Sequence, residues 1–145
     1  MPRQKQRRRK GKRNYLVYKE LEFIVEEMNR EVDAVIVEGS HDRTALELLG
    51  FRKDMLLYSE SKLSDGDFVE LVSQKYERVV ILTDYDRDGK SFNKKLSERL
   101  QRRGVCIERT YRDKIGKLLG QCGIKDIESI SALKKRVFDF CYEMP

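Results

Sequence analysis

VVILTDYDRDG (residues 79–89) is the stretch that indicates the fold: four aliphatic residues and a threonine lead into three aspartates and a glycine. A short β-branched run of this kind is typical of a strand buried on both faces of a parallel sheet. The stretch AVIVEG (34–39) repeats the arrangement with a single glutamate. Apolar strands that end in polar residues before a helix predict an α/β domain whose ligands bind at the carboxyl edge of the sheet.

The rest of the chain alternates between helical and extended patterns around these two strands. Apolar residues at intervals of three or four predict a helix over 15–29, one from Ser40 or Asp42 to Leu49, and one after Ser64. Further strands are expected at 55–58 and 105–108, and further helical segments at 89–103, 115–119 and 130–140. We therefore expect a three-layer α/β sandwich with a central, mostly parallel four-stranded sheet flanked by helices.

Length and composition limit the class of protein. The 145 residues make about one domain, and with 39% hydrophobic and 39% charged residues the chain is too apolar for disorder. No apolar run approaches the roughly 20 residues of a membrane span, so we expect no membrane partner. Cys106, Cys122 and Cys141 are too widely spaced for a zinc site or a disulfide framework. We expect a reduced, cytoplasmic protein.

The net charge of +6 is distributed very unevenly along the chain. Residues 1–13 contain eight basic and no acidic residues, residues 14–86 eight basic and 17 acidic, and residues 87–117 eleven basic and four acidic. A run such as RRRK (7–10) repels itself, so we expect residues 1–13 to form a disordered basic tail. Such a tail would contact phosphates, or would serve to solubilise or target the chain.

Glu38, Asp84 and Asp86 are the candidate metal ligands. If the strands before Glu38 and Asp84 are neighbours, both acids leave the sheet at one edge, and Asp86 points the same way while the chain stays extended. Carboxylates gathered at one place repel each other unless a cation lies among them. Oxygen ligands without histidine or cysteine favour Mg²⁺ or Mn²⁺.

Glycines and basic residues flank these acids and suggest how a phosphate would bind. Gly39 and Gly89 allow the backbone to approach a ligand closely, and Gly89 opens a helix whose N-terminus suits an anion. Lys90 would add a positive charge. Other basic residues near the predicted edge, each a candidate for contact with a nucleic-acid backbone, are Arg43, Arg87, Arg112 and Lys114.

Other interpretations of the acids remain open. The spacing of Asp84, Asp86 and Asp88 matches the first half of an EF-hand loop, but the twelfth position is Lys95 rather than glutamate. An aspartyl phosphatase or a receiver domain would place its acids after the first strand. The acids could also cap a helix and face solvent, and Asp88 suits a cap better than a ligand.

The two motifs VIVEG (35–39) and ILTDYDRDG (81–89) together resemble the signature of the Toprim domain. That domain is shared by type IA and type II topoisomerases, bacterial-type primases, overcoming-lysogenisation-type nucleases and ribosomal-RNA-maturing ribonucleases. The length is most similar to the small stand-alone archaeal Toprim proteins, and the maturation ribonucleases are closest in architecture. The resemblance implies a Toprim-like core over 33–110, preceded by an amphipathic helix (14–32) and followed by a helical extension (111–145).

By this resemblance, Glu38 serves as general acid/base or metal ligand, Asp84 and Asp86 hold magnesium, and Asp88 assists. We therefore favour a magnesium-dependent nuclease acting on structured RNA, with RNA preferred over DNA as the partner. A rival interpretation is a non-catalytic nucleic-acid-binding or adaptor protein with an idle metal site and protein partners in RNA or DNA processing. A third is nucleotidyl or phosphoryl transfer on a small nucleotide.

Overall fold

The structure, a computed structural model, describes residues 2–143 and consists of a four-stranded sheet between two layers of helices. The strands are β1 (Ala34–Val37), β2 (Asp54–Leu57), β3 (Arg78–Ile81) and β4 (Cys106–Ile107), in the order β2-β1-β3-β4. The helices are α1 (Pro2–Glu31), α2 (Ser40–Leu48), α3 (Asp65–Lys75), α4 (Arg87–Arg102), α5 (Arg109–Gln121) and α6 (Ile130–Glu143), with a 3₁₀ turn at Tyr58–Glu60. This confirms the predicted α/β fold, and every strand pair is parallel.

Alternate residues of the central strands pack into two separate cores. Val35 and Val37 of β1 face the core that contains α1, α2, α5 and α6. Ala34 and Ile36 face the core that contains α3 and α4. Burial on both faces explains why β1 and β3 contain almost only aliphatic residues. The sheet is therefore the middle layer, and its carboxyl edge is left free for polar residues.

The basic N-terminal segment differs from the disordered tail that we expected. Helix α1 begins at Pro2, and residues 2–10 are exposed on one continuous helix with the buried part of α1. Arginine, lysine and glutamine are good helix formers, and proline is well suited to the first turn. At Gly11 the helix meets α6, since a Cβ there would lie 2.3 Å from Cδ2 of Phe140. The positive charges thus project from a helix.

Strand β4 is shorter than the four residues expected at 105–108. It pairs only with Arg78 and Val79, and its last sheet hydrogen bond runs from the N–H of Glu108 to the carbonyl of Val79, at 2.9 Å. The end of β3 therefore has a strand neighbour on one side only, at β1. Across the described residues, no helix is long and apolar enough to cross a membrane.

Candidate metal and phosphate site

The fold brings Glu38 and Asp84 to the same edge of the sheet. Strands β1 and β3 are parallel neighbours, with Ile36 opposite Ile81, so both acids follow the carboxyl ends of adjacent strands. The backbone N–H of Asp84 interacts with the Glu38 carboxylate and favours its ionised form. The neighbouring strands that the sequence analysis assumed are therefore present.

A segment between α5 and α6 holds Asp84 in place. Its Oδ1 atom accepts a hydrogen bond of 3.0 Å from the backbone N–H of Ile127. The next residue, Tyr85, donates its backbone N–H to the carbonyl of Lys125 at 2.6 Å. One carboxylate oxygen of Asp84 is thus used for orientation, which leaves Oδ2 as the oxygen for a ligand.

Burial and mutual repulsion raise the pKa values of the acids at this edge. Desolvation, followed by the charges of Glu38, Asp42 and Asp126, raises the pKa of Asp84 to about 6. Desolvation is also the main cause of the raised pKa of Glu38, to which the charges of Asp42 and Asp86 add. A cation among these groups would relieve both effects, because it stabilises the ionised carboxylates.

Asp86 acts as the N-cap of α4. Its Oδ1 atom accepts a hydrogen bond of 2.7 Å from the backbone N–H of Gly89, while the side chain itself is exposed. The cap is therefore Asp86 and not Asp88, which is exposed in the first turn of the helix. Asp86 nevertheless lies near enough to Glu38 to raise the pKa of that carboxyl group.

Gly89 is required by close packing at the start of α4. A Cβ on this residue would lie 2.0 Å from the carbonyl oxygen of Asp84, and Thr83 Oγ1 donates to the Gly89 carbonyl at 2.7 Å. The helix thus begins in direct contact with the end of β3. Gly39 differs: a Cβ there would meet Ser59 Oγ at 3.5 Å, an ordinary contact, so packing does not demand a glycine.

Arg112 is buried, which corrects its expected contact with a nucleic-acid backbone. Its guanidinium donates to the carbonyls of Ile81 (3.3 Å), Thr83 (2.7 Å) and Asp84 (3.1 Å). It also lies 4.4 Å from the ring centroid of Tyr85, whose hydroxyl donates to the carbonyl of Arg112. The short β4 strand explains this role, because Arg112 supplies the donors that a longer strand would have supplied.

The other basic candidates lie at the surface. Arg87, Lys90 and Lys114 are exposed, and Arg43 is exposed with its Nε atom 3.5 Å from a carboxylate oxygen of Glu47. These four side chains are accessible to a phosphate backbone. His41, in the first turn of α2, is also exposed.

Three further acids near the site were not predicted as site residues. Asp42 is buried in the first turn of α2. Its Oδ2 atom accepts a hydrogen bond of 3.1 Å from the backbone N–H of Gly39, so it helps to cap this helix. Asp126 and Glu128 come from the segment between α5 and α6 and raise the pKa of Asp42 after its main cause, desolvation. No strand precedes that segment, so the pattern used for Glu38 and Asp84 could not have found it.

The donor set fits a hard divalent cation in an open site. Within residues 2–143, no three acidic, histidine or cysteine side chains converge on one point as a ready-made cage. The expected convergence of Glu38, Asp84 and Asp86 is therefore not formed by the protein alone. Mg²⁺ usually keeps several waters and binds one or two carboxylates together with substrate phosphates. A pair of carboxylates with raised pKa values at a free sheet edge suits that mode.

Fold and site together define a Toprim protein, and comparison with known families agrees. The model of the Toprim domain matches residues 33–118, and this chain belongs to that family. Its membership relates the chain to metal-binding, nucleic-acid-related function and confirms the resemblance seen in the two motifs.

Individual relatives are small archaeal proteins. The chain is 33% identical to a UPF0292 protein of Pyrococcus horikoshii over 120 residues, which cover 83% of this chain and 88% of the relative. It is 32% identical to a UPF0292 protein of Methanocaldococcus jannaschii over 127 residues, 83% and 95% of the two chains. A solved structure of a putative protein from Aquifex aeolicus has a TM-score of 0.61 at 27% identity, covering 77% of this chain and 95% of that one.

Proposed function

We propose that this chain is a magnesium- or manganese-dependent enzyme that cleaves phosphodiester bonds in nucleic acid, with structured RNA as its substrate. The observation that carries the proposal is the placement of Glu38 and Asp84 at the ends of adjacent parallel strands, where burial and neighbouring acids raise both pKa values. Such shifts are typical of sites that bind cations or transfer protons.

Each residue has a defined task in this proposal. Glu38 and Asp84 hold the metal ion, and Asp86 and Asp88 border it. When bound, the ion neutralises phosphate charge and promotes deprotonation of water. Glu38 is half-buried and desolvation raises its pKa, so a bound cation would stabilise its ionised form.

Phosphate binding falls to α4 and the exposed cations. Asp86 caps the N–H of Gly89, so the other N–H groups at the start of α4 and the side chain of Lys90 are the groups offered to a phosphate. The N-terminus of a helix favours an anion through its free N–H groups and dipole. Arg43, Arg87 and Lys114 extend the positive surface, while Arg112 acts from inside by holding the loop that carries Asp84.

The basic part of α1 adds affinity without sequence preference. Its eight cations are displayed on an exposed helix and, among the described residues, form no ion pair within 4.0 Å. Neutralising a phosphate releases counterions, so such contacts strengthen binding in a salt-dependent way.

The test is a cleavage assay on structured RNA and DNA with purified protein and Mg²⁺ or Mn²⁺. We expect cleavage that disappears with a chelator and with Glu38→Gln. Glu77→Gln is the matched control, because it makes the same change at an exposed position at the opposite edge of the sheet. Intact substrates under all conditions, with no effect of Glu38→Gln, would contradict the proposal.

A non-catalytic nucleic-acid-binding or adaptor protein is the second candidate, favoured by the exposed cations of α1, which can contact phosphates without the acidic site. In that case Asp84→Asn leaves the function in cells unchanged, whereas loss of residues 2–13 abolishes nucleic-acid binding. A cellular defect of the Asp84→Asn strain would reject the adaptor.

A further inference from the structure

The early end of β4 leaves a cavity beside the acidic site. Beyond the hydrogen bond between Glu108 and Val79 the sheet has no fourth strand, and residues of α4 and α5 line the gap that this leaves. The cavity between them has a volume of about 360 Å³. Natural sites for small organic groups are roughly 300–1,000 Å³, so this one can hold a group of that kind.

The lining of the cavity combines an apolar floor with hydrogen-bonding groups. The half-buried Ile107 of β4 provides apolar surface, and the cavity also reaches the core residue Ile81 of β3. Asn93 and Ser97 lie on α4 one turn apart, and the Ser97 hydroxyl donates to Asn93 Oδ1 at 3.3 Å. This contact leaves the amide NH₂ of Asn93 as a donor for a ligand, and Glu98 adds a carboxylate acceptor.

Positive side chains also border this cavity. Lys94 on α4 and Arg109 on α5 line it, and Arg109 is held by a hydrogen bond of 3.0 Å from its Nη2 atom to Gln101. Three carboxylates, those of Glu98, Glu108 and Asp113, line it as well, so the charges balance and suit an uncharged hydrogen-bonding body such as a nucleobase rather than a free phosphate.

Arg112 connects this cavity to the acidic site. Its Nη1 atom donates to the carbonyl of Ile81, a cavity residue, while Nη2 donates to the carbonyl of Asp84. Arg112 therefore contacts both the wall of the cavity and the loop that carries Asp84. A ligand in the cavity and a phosphate near Asp84 can belong to the same strand of nucleic acid.

We propose that this cavity binds an unpaired nucleobase of the nucleic acid whose phosphodiester lies at the Glu38–Asp84 edge. This inference rests on the proposed function and deepens it by naming a single-stranded or bulged nucleotide as the recognised element. Proteins that take up an unpaired base hold it between aromatic or apolar side chains and read its edge with hydrogen bonds. The apolar isoleucines, the Asn93 amide and the Glu98 carboxylate provide these two features.

The experiment measures binding without cleavage. Full-length protein carrying Glu38→Gln, free of divalent metal, is titrated with a short single-stranded RNA and with an abasic ribose-phosphate strand of the same length. We expect the intact RNA to bind about tenfold more tightly, since loss of one well-placed contact group costs on the order of 1.4 kcal/mol.

Asn93→Leu decides whether the cavity causes this difference. Leucine keeps a good helix former at the position but removes the amide and fills the space. We expect this variant to bind the two strands equally, while Gln74→Leu, which also replaces an amide by leucine but at an exposed position of α3, keeps the tenfold ratio. The proposal is overturned if the Glu38→Gln protein with Asn93 intact binds both strands equally. It is also overturned if Asn93→Leu leaves the ratio of the two affinities unchanged.

An NMR titration of the Glu38→Gln protein with the RNA and, separately, with nucleoside monophosphates distinguishes recognition of a strand from binding of a free nucleotide. It needs no cavity variant. With the RNA we expect shifts of the backbone amides of Asn93, Ser97 and Ile107, and weaker shifts with the monophosphates. Monophosphates that bind as tightly as the strand, or shifts that avoid these residues, would refute recognition of a strand. The cleavage assay is independent of this result, so failure here leaves the metal site untouched.

Discussion

Oδ1 of Asp84 accepts a hydrogen bond of 3.0 Å from the backbone N–H of Ile127, and this contact ties the acidic edge to the segment between α5 and α6. The residue that follows β3 is therefore oriented by a part of the chain more than forty positions away. Because the hydrogen bond uses one oxygen only, an asparagine can keep the contact while removing the charge.

Asp84→Asn should raise the stability of the metal-free protein. The pKa of Asp84 is raised to about 6 in the fold, mainly by desolvation, so the ionised form is penalised. That penalty is complete above pH 6, decreases as the pH falls, and vanishes below about pH 4, where the carboxyl is protonated in both states. We expect a gain on the order of 1–2 kcal/mol at pH 7.5, after allowance for solvent screening.

Thermal melts of both proteins at pH 7.5 and pH 4, in the presence of a chelator, check this prediction. The two melting temperatures should differ at the higher pH and converge at the lower one. A less stable Asp84→Asn protein at pH 7.5 would show that the carboxylate is not penalised in the fold.

Gly89→Ala should be strongly destabilising. The added Cβ would lie 2.0 Å from the carbonyl oxygen of Asp84, so the start of α4 or the end of the β3 loop must move. We expect a loss of about 1–3 kcal/mol, the usual cost of an overpacked position. Gly66→Ala on α3 is the control, because its Cβ meets nothing within 4 Å and alanine favours a helix by roughly 0.5–1 kcal/mol. In chemical denaturation, Gly66→Ala should be the most stable of the three proteins and Gly89→Ala the least. Equal stability of Gly89→Ala and wild type would contradict the close contact between Gly89 and the Asp84 carbonyl.

Arg112→Met should act on stability rather than on electrostatic binding. It removes the donors for the carbonyls of Ile81, Thr83 and Asp84, and each unsatisfied buried acceptor costs about 1–3 kcal/mol. Lys114→Met, at an exposed position, should leave the free energy of unfolding nearly unchanged and weaken nucleic-acid binding. Denaturant unfolding and nucleic-acid binding are measured for both variants. If Arg112 were a surface contact, Arg112→Met would instead weaken binding and leave the free energy of unfolding nearly unchanged.

Replacement of the basic run Arg7–Lys10 by glutamines should lower nucleic-acid affinity and its dependence on salt. Glutamine is a good helix former, so the helix is retained and the four charges are removed. Each phosphate contact contributes about 0.9 to the slope of log affinity against log salt for duplex DNA. The slope should fall by up to about 3.6. An unchanged slope, with circular dichroism confirming the helix, would show that this part of α1 does not meet phosphates.

The sequence was sufficient to predict the elements that have a strong local pattern. The aliphatic runs before Glu38 and Asp84 indicated buried parallel strands, and the parallel arrangement explains why both acids lie at one edge. The basic segment was misjudged because its charge density was weighed above its helix propensity and its contact at Gly11. The apolar pattern over 105–108 did not show that β4 is only two residues long, Cys106–Ile107.

The burial of Arg112 and the approach of Asp126 follow from tertiary contacts that have no local signature. Arg112 turns inward because the short β4 strand leaves carbonyls of β3 in need of donors. Asp126 reaches the site because the segment after α5 folds back onto the loop that follows β3. Neither consequence can be deduced from periodicity or spacing.

The central claim, that Glu38 and Asp84 share a divalent cation, is tested most directly by the anomalous scattering of crystals soaked in Mn²⁺. We predict a peak beside both carboxylates, which disappears in crystals of Asp84→Asn. The claim is contradicted if well-diffracting soaked crystals show no peak there, or if the peak persists unchanged in the variant.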